Sequence, residues 1–171
     1  MKEFDRRNFF KNSSIVFGLG TLASQLFARS NCKTTPPQME GPFYPESGQS
    51  WEDFDLTGRN GNSNHSRADV FRLVGQVSTN VGGQCRPLAG ARVEIWQADD
   101  KGQYKHSIDE QQNPGPRDPN FQYWGEATTN NDGKYEFITI EPGKYPGRTP
   151  HIHFRIVSAD RQSSLTTQLY F

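Results

Sequence analysis

The chain has 171 residues, room for one domain plus an N-terminal extension. With 19 Lys and Arg against 19 Asp and Glu, no net field draws it to nucleic acid or to an anionic membrane surface. The 16 Gly and 11 Pro, with aromatics at 12% and apolar residues at only 32%, suit short strands joined by turns and argue against packed helices.

Residues 1–30 read as an address. Arg6 and Arg7 precede Asn8-Phe9-Phe10-Lys11 and an apolar run from Ile15 to Phe27, which resembles a twin-arginine export signal. Ala28 and Ser30 supply the small residues of a cleavage site, so the mature chain is expected to begin near Asn31. At roughly 13 residues the run falls short of the ~20 that span a bilayer, and no stable membrane span is expected after its removal. Residues 31–69 are polar, with Pro36, Pro37, Pro42 and Pro45 and then a Gly/Asn/Ser stretch from Gly58 to Ser66, and are expected to form an arm and loop around the domain. Cys32 and Cys85 are the two cysteines. An oxidising compartment permits them to pair, and their spacing equally suits two separate thiols.

From Val70 the pattern changes to β-prone runs: Val70 to Ser78, Ala91 to Gln97, Lys134 to Ile140, His151 to Val157 and Leu165 to Phe171. Turn residues separate them at Gly82-Gly83, Pro87 to Gly90, Asn131-Asp132-Gly133 and Pro142-Gly143. Asn131-Asp132-Gly133 predicts a hairpin. Strands at this spacing predict an all-β fold, an antiparallel β-sandwich over residues 70–171 with long functional loops. The longest excursion, Asp99 to Trp124, carries Pro114, Pro116 and Pro119.

His151 and His153 flank Ile152 within a predicted strand, so both imidazoles project from one face. That pattern alone is shared by several metals and by histidines that bind none. Tyr145 lies six residues upstream of His151 and Tyr104 lies in the excursion. Two phenolates and two imidazoles suit a hard trivalent ion such as Fe(III), because the cation stabilises phenolate against a solution pKa of ~10.

Seven motifs then occur in order: Glu94-Ile95-Trp96-Gln97-Ala98, Gly102-Gln103-Tyr104, Asp118-Pro119-Asn120-Phe121, Asp132 to Phe137, Pro142 to Pro146, Pro150-His151-Ile152-His153-Phe154 and Thr167 to Phe171. Together they resemble the intradiol ring-cleavage dioxygenases, nearest to the protocatechuate type, over about Gly75 to Phe171 and more weakly at Glu40 to Tyr44. The resemblance implies iron(III) held by Tyr104 and His151 as equatorial ligands and by Tyr145 and His153 as axial ones, with a solvent hydroxide. It implies that Arg148 lies beside the substrate oxygens, that Gln168 assists it, that Trp96 lines the pocket and that Tyr135 is a core residue. It further implies a catechol-type small molecule and O2 as substrates, ring opening between the hydroxylated carbons to a cis,cis-muconate-type dicarboxylate, and Tyr145 as the ligand the catechol displaces. Homo-oligomerisation is left open.

Three departures from the family pattern bear on the pocket. The stretch from Tyr145 to His151 is short, and Gly147 stands where protocatechuate enzymes carry an aromatic residue, so the mouth is expected to be open. The chain ends at Phe171, where relatives continue; either the domain is minimal or its C-terminal part lies outside this sequence. Two other readings share the residues. Pro87 to Val93 followed by Asp132 to Phe137 also resembles non-catalytic transthyretin-like and carboxypeptidase-regulatory modules, and the histidine pair also suits a zinc hydrolase.

Overall fold

The computed structural model describes residues 2–3, 32–46, 53–58 and 68–171. Arg6, Arg7 and the apolar run behind the export reading lie outside the described residues. The elements are β1 (Lys2–Glu3), β2 (Val70–Gln76), β3 (Ser78–Val81), β4 (Gln84–Pro87), β5 (Arg92–Gln97), α1 (Ser107–Gln112), β6 (Trp124–Thr128), β7 (Lys134–Ile140), β8 (His151–Val157) and β9 (Ser164–Tyr170). One sheet has the order β6-β5-β8-β9 and is antiparallel throughout. A second is β1-β2-β7, with β2 and β7 antiparallel and β1 parallel to β2, and β3 and β4 form a two-stranded third. The fold is the antiparallel β-sandwich that the alternation predicts.

Alternation within the larger sheet does the sorting. Val93 and Ile95 of β5 and Ile152 and Phe154 of β8 face the core, where Phe137, Ile140 and Leu56 meet them. Each such side chain contributes about 1.5–3 kcal/mol on burial. Because side chains alternate, Trp96, His151, His153, Gln168 and Tyr170 are left together on the opposite face. Register aligns them: Trp96 pairs with His153, His153 with Gln168, and His151 with Tyr170.

The Asn131-Asp132-Gly133 turn forms, with Gly133 at φ 71° and Asn130 Oδ1 accepting from the Asp132 and Lys134 amides at 3.0 and 2.9 Å. It is not a hairpin. It carries the chain from β6 in one sheet to β7 in the other, because β6 pairs with β5 and β7 with β2. The tight hairpin is β3–β4, turning through Gly82 and Gly83 at φ 60° and 85°, both in the left-handed region that a two-residue turn of this hand requires. The run from Val70 to Ser78 is split accordingly: β2 ends at Gln76, and Val77 donates its amide to Gly133 O at 2.8 Å.

Cys32 and Cys85 form a disulfide that ties the start of the arm to β4. The arm then follows the outer edge of β9, where Gln38 donates to Thr166 O at 2.9 Å and Thr167 Oγ1 donates to Pro36 O at 3.0 Å. Further on, the 53–58 segment enters the core: Leu56 is fully buried and its amide donates to Ile138 O at 2.8 Å. Among the described residues no helix is long and apolar enough to cross a membrane.

Candidate metal centre

With Ile152 buried in the core, both imidazoles of β8 stand on the other face, 1% and 3% exposed. His151 Nδ1 donates to Thr149 O at 2.7 Å, which turns Nε2 toward His153, and the two Nε2 atoms lie 3.0 Å apart. The His153 ring stacks on Trp96 at 4.8 Å and 6°. Gly41, at φ 76°, approaches the Cε1–Nε2 edge of His153; a Cβ there would sit 3.4 Å from Cε1.

Tyr104 is delivered by a loop organised around two buried carboxylates. Asp99 Oδ1 accepts from the amides of Lys101 and Gln103 at 3.0 Å each, and Asp99 Oδ2 accepts from the Tyr123 hydroxyl at 3.0 Å. Asp109 accepts from the Tyr104 amide at 2.8 Å, while Arg117 donates to Tyr104 O at 3.0 Å and pairs with Asp109 at 2.9 Å. Both backbone groups of Tyr104 are therefore held. Its ring packs on Phe43 at 4.7 Å and is 2% exposed, and among the described residues its hydroxyl has no hydrogen-bond partner.

Tyr145 arrives on the loop after β7, which is locked to the Tyr104 loop by backbone contact. Gly143 donates to Asp99 O at 2.7 Å, and a Cβ on Gly102, which sits at φ 79°, would lie 2.1 Å from Lys144 O. Only glycine permits that approach. The Tyr145 ring lies 5.7 Å from Tyr104 and 5.8 Å from His151. Beside it Arg148 donates to Gln168 Oε1 at 2.7 Å, the Tyr170 hydroxyl donates to the same oxygen at 2.8 Å, and Gln168 Nε2 donates to Met39 O at 2.8 Å. The structure thus brings Tyr104, Tyr145, His151 and His153 together, with Arg148, Gln168 and Trp96 around them. Tyr135 lies in the other sheet, its ring over Gly75, and burial pushes its phenol up to about 12.

Burial, then the neighbouring Tyr145, raises the Tyr104 phenol, and burial raises Tyr145 as well. Burial holds His151 below its ordinary value; burial, then His151, takes His153 down to about 3. The surroundings thus keep all four groups neutral. Two imidazole nitrogens at 3.0 Å and a buried phenol oxygen without a partner among the described residues form a donor set that fits a cation.

The family model described as Dioxygenase (Dioxygenase_C) matches residues 39–171. Protocatechuate 3,4-dioxygenase beta chain of Burkholderia cepacia is 36% identical over 126 residues, covering 70% of this chain and 52% of that protein. The solved intradiol ring-cleavage dioxygenase of Tetranychus urticae superposes with a TM-score of 0.64 at 30% identity, over 82% of this chain and 65% of that one. The chain belongs to the intradiol ring-cleavage dioxygenase family. A dioxygenase domain from Streptomyces sp. SirexAA-E is also similar, with a TM-score of 0.60 at 33% identity over 81% of this chain and 75% of that one. The chain spans about half the length of the curated relatives it matches, 52% of the Burkholderia protein and 45% of catechol 1,2-dioxygenase 1 of Acinetobacter lwoffii.

Sequence reasoning passes over several residues that build this site in a family member. Phe43 touches the rings of Tyr104, His106 and Tyr145. Tyr44 packs on Trp96 at 5.0 Å and donates to the buried Glu94 at 2.8 Å. The weak match at Glu40 to Tyr44 is the signal that points to both. Asp99, Asp109 and Arg117 hold the loop largely through its backbone groups; the Asp99-to-Gly102 turn composition is a local trace of Asp99 alone.

Proposed function

We propose that this chain is an intradiol dioxygenase that opens a catechol ring between its two hydroxylated carbons with O2, giving a cis,cis-muconate-type dicarboxylate, with non-haem iron(III) held by Tyr104, Tyr145, His151 and His153. The observation that supports the reading is the gathering of two phenols and two imidazoles, ring to ring at 4.6 to 6.4 Å, around a Tyr104 hydroxyl that is buried and has no hydrogen-bond partner among the described residues. Bound there, iron(III) would supply Lewis acidity, stabilising phenolate and catecholate and drawing electron density from the ring toward oxygen. The rest is the work of side chains. Tyr145, on the loop that continues into exposed Pro146 and Gly147, is the ligand free to turn away and take a catechol proton onto Oη. Tyr104, gripped at both backbone groups, stays. Arg148, held by Gln168, donates to the substrate oxygens where negative charge collects. Trp96 and Phe43 close the inner wall against water and keep His153 and Tyr104 in orientation.

Iron-loaded protein should be red-brown from phenolate-to-iron(III) charge transfer and should consume oxygen with one or more members of a catechol panel. A colourless protein that holds zinc, or no metal, would point to the hydrolase or the non-catalytic module and sink this reading. We also propose export by the signal in residues 1–30; the disulfide supports it, since such bonds persist in oxidising compartments. Replacing Arg6 and Arg7 with Lys should leave the protein in the cytoplasm, and unchanged export would refute the signal.

A further inference from the structure

We infer that the gap over Gly147 sets substrate size, and that the site takes a catechol carrying a bulky, ring-sized substituent that leaves the centre across the Pro146–Gly147 turn. The inference rests on the catechol reading above. The loop from Lys144 to Thr149 lines an open cleft of about 600 Å³. The cleft is open and lined by this one loop, so a bare benzenediol beside it would leave most of that space to solvent, whereas a larger molecule could extend into it. Tyr145 and Arg148 belong both to this lining and to the candidate metal centre, so the cleft adjoins it.

The inner side is lined by packed rings. Phe43 lies against Tyr104 at 4.7 Å, Trp96 against His153 at 4.8 Å, and Gly41 meets the edge of His153. Among the described residues the open space beside the centre lies toward the Pro146–Gly147 turn, so a substituent on the bound ring is placed there. At Gly147 a Cβ would meet nothing within 4 Å, so the space beyond the backbone is open. Nearby, Tyr170 is 41% exposed with its ring 5.7 Å from His151, an aromatic surface at the mouth that solvent reaches. An aryl substituent crossing the turn would find apolar contact there.

A competing account makes Gly147 a turn residue only, required by its φ of 80°. Two substitutions separate the accounts. Asn tolerates a left-handed backbone and adds little bulk, whereas Trp places a ring over the cleft. Catechol and 4-phenylcatechol are compared on the iron-loaded protein, first by anaerobic titration of the visible charge-transfer band and then by oxygen uptake. Wild type should bind 4-phenylcatechol at least as tightly as catechol. Gly147→Trp should weaken 4-phenylcatechol at least about tenfold more than catechol, and Gly147→Asn should leave the ratio of the two within about twofold of wild type. Wild type that binds catechol but excludes 4-phenylcatechol would overturn the inference without any variant, so it does not depend on the Trp protein folding. Equal weakening of both ligands in Gly147→Trp would overturn it too. No response to either ligand in wild type would overturn the catechol reading itself and the inference with it.

Discussion

Tyr104 and Tyr145 carry the same phenol in two settings. Tyr104 is 2% exposed and anchored through its own amide and carbonyl, whereas Tyr145 is half-buried on a loop that reaches solvent one residue later. A permanent ligand to a trivalent ion should resemble the first, and a ligand that leaves and accepts a proton the second, since a released phenol returns toward pKa ~10. Tyr145→Phe should retain most iron yet turn over slowly in a single-turnover experiment, while Tyr104→Phe should lose iron. Equal iron loss in the two proteins would refute the division of roles. The imidazoles give a pH prediction for metal-free protein. His153 is held down to about 3 in the folded state, against an unfolded value of ~6.5. Between those values the unfolded chain binds the extra proton, so this contribution to stability is complete above pH ~6.5 and is lost as pH falls toward about 3. Urea midpoints of chelator-treated protein should drop across that window, and His153→Gln should flatten the drop. A variant with the same pH slope as wild type would contradict the assignment.

The elements differ in how far they announce themselves. Strands β7 and β8 are legible residue for residue, since Lys134 to Ile140 and His151 to Val157 alternate and end at turns. The same alternation is enough to put His151 and His153 on one face. Helix α1 is not legible: Ser107–Gln112 is six residues with no apolar period, and His106 starts it by accepting the Ile108 amide on Nδ1 at 3.2 Å. Strand β6 is hidden by Gly125, where a Cβ would lie 2.5 Å from the Leu56 side chain, a contact between segments far apart in sequence. Likewise the turn signal at Asn131 to Gly133 is sound locally, but which sheet each flanking strand joins is decided by pairing at a distance. The Tyr104 loop, by contrast, is held by contacts within the excursion itself. Asp109 is 3% exposed and Arg117 15%, and removing one partner of a buried pair leaves the other charge uncompensated. Asp109→Ala should cost about 3 kcal/mol in denaturant unfolding and lower iron content as the Tyr104 backbone loosens. Full stability and full iron content in that variant would show that the pair does not position Tyr104.

For the whole molecule the disulfide closes a long loop. Cys32 and Cys85 are 53 residues apart, and on the chain-entropy account a closure of that length stabilises the fold by about 4 kcal/mol. Cys85→Ser, or reduction of wild type, should lower the melting temperature, and an unchanged transition would exclude that contribution. The arm that begins at this bond has a further consequence for colloidal behaviour. Strand β9 is the last strand of its sheet, and an uncovered edge offers free amides and carbonyls to any passing strand. The arm occupies that edge through Gln38 and Pro36, and Pro36 and Pro37 have no amide hydrogen to offer a newcomer. Deleting residues up to Met39 should therefore make the protein associate edge to edge more than wild type does, visible in light scattering as greater growth in particle size with concentration. A truncated protein that stays the same size as wild type would show that β9 resists pairing unaided. If the particles do grow, the arm that leads into the candidate metal centre also keeps one molecule from becoming the next strand of another.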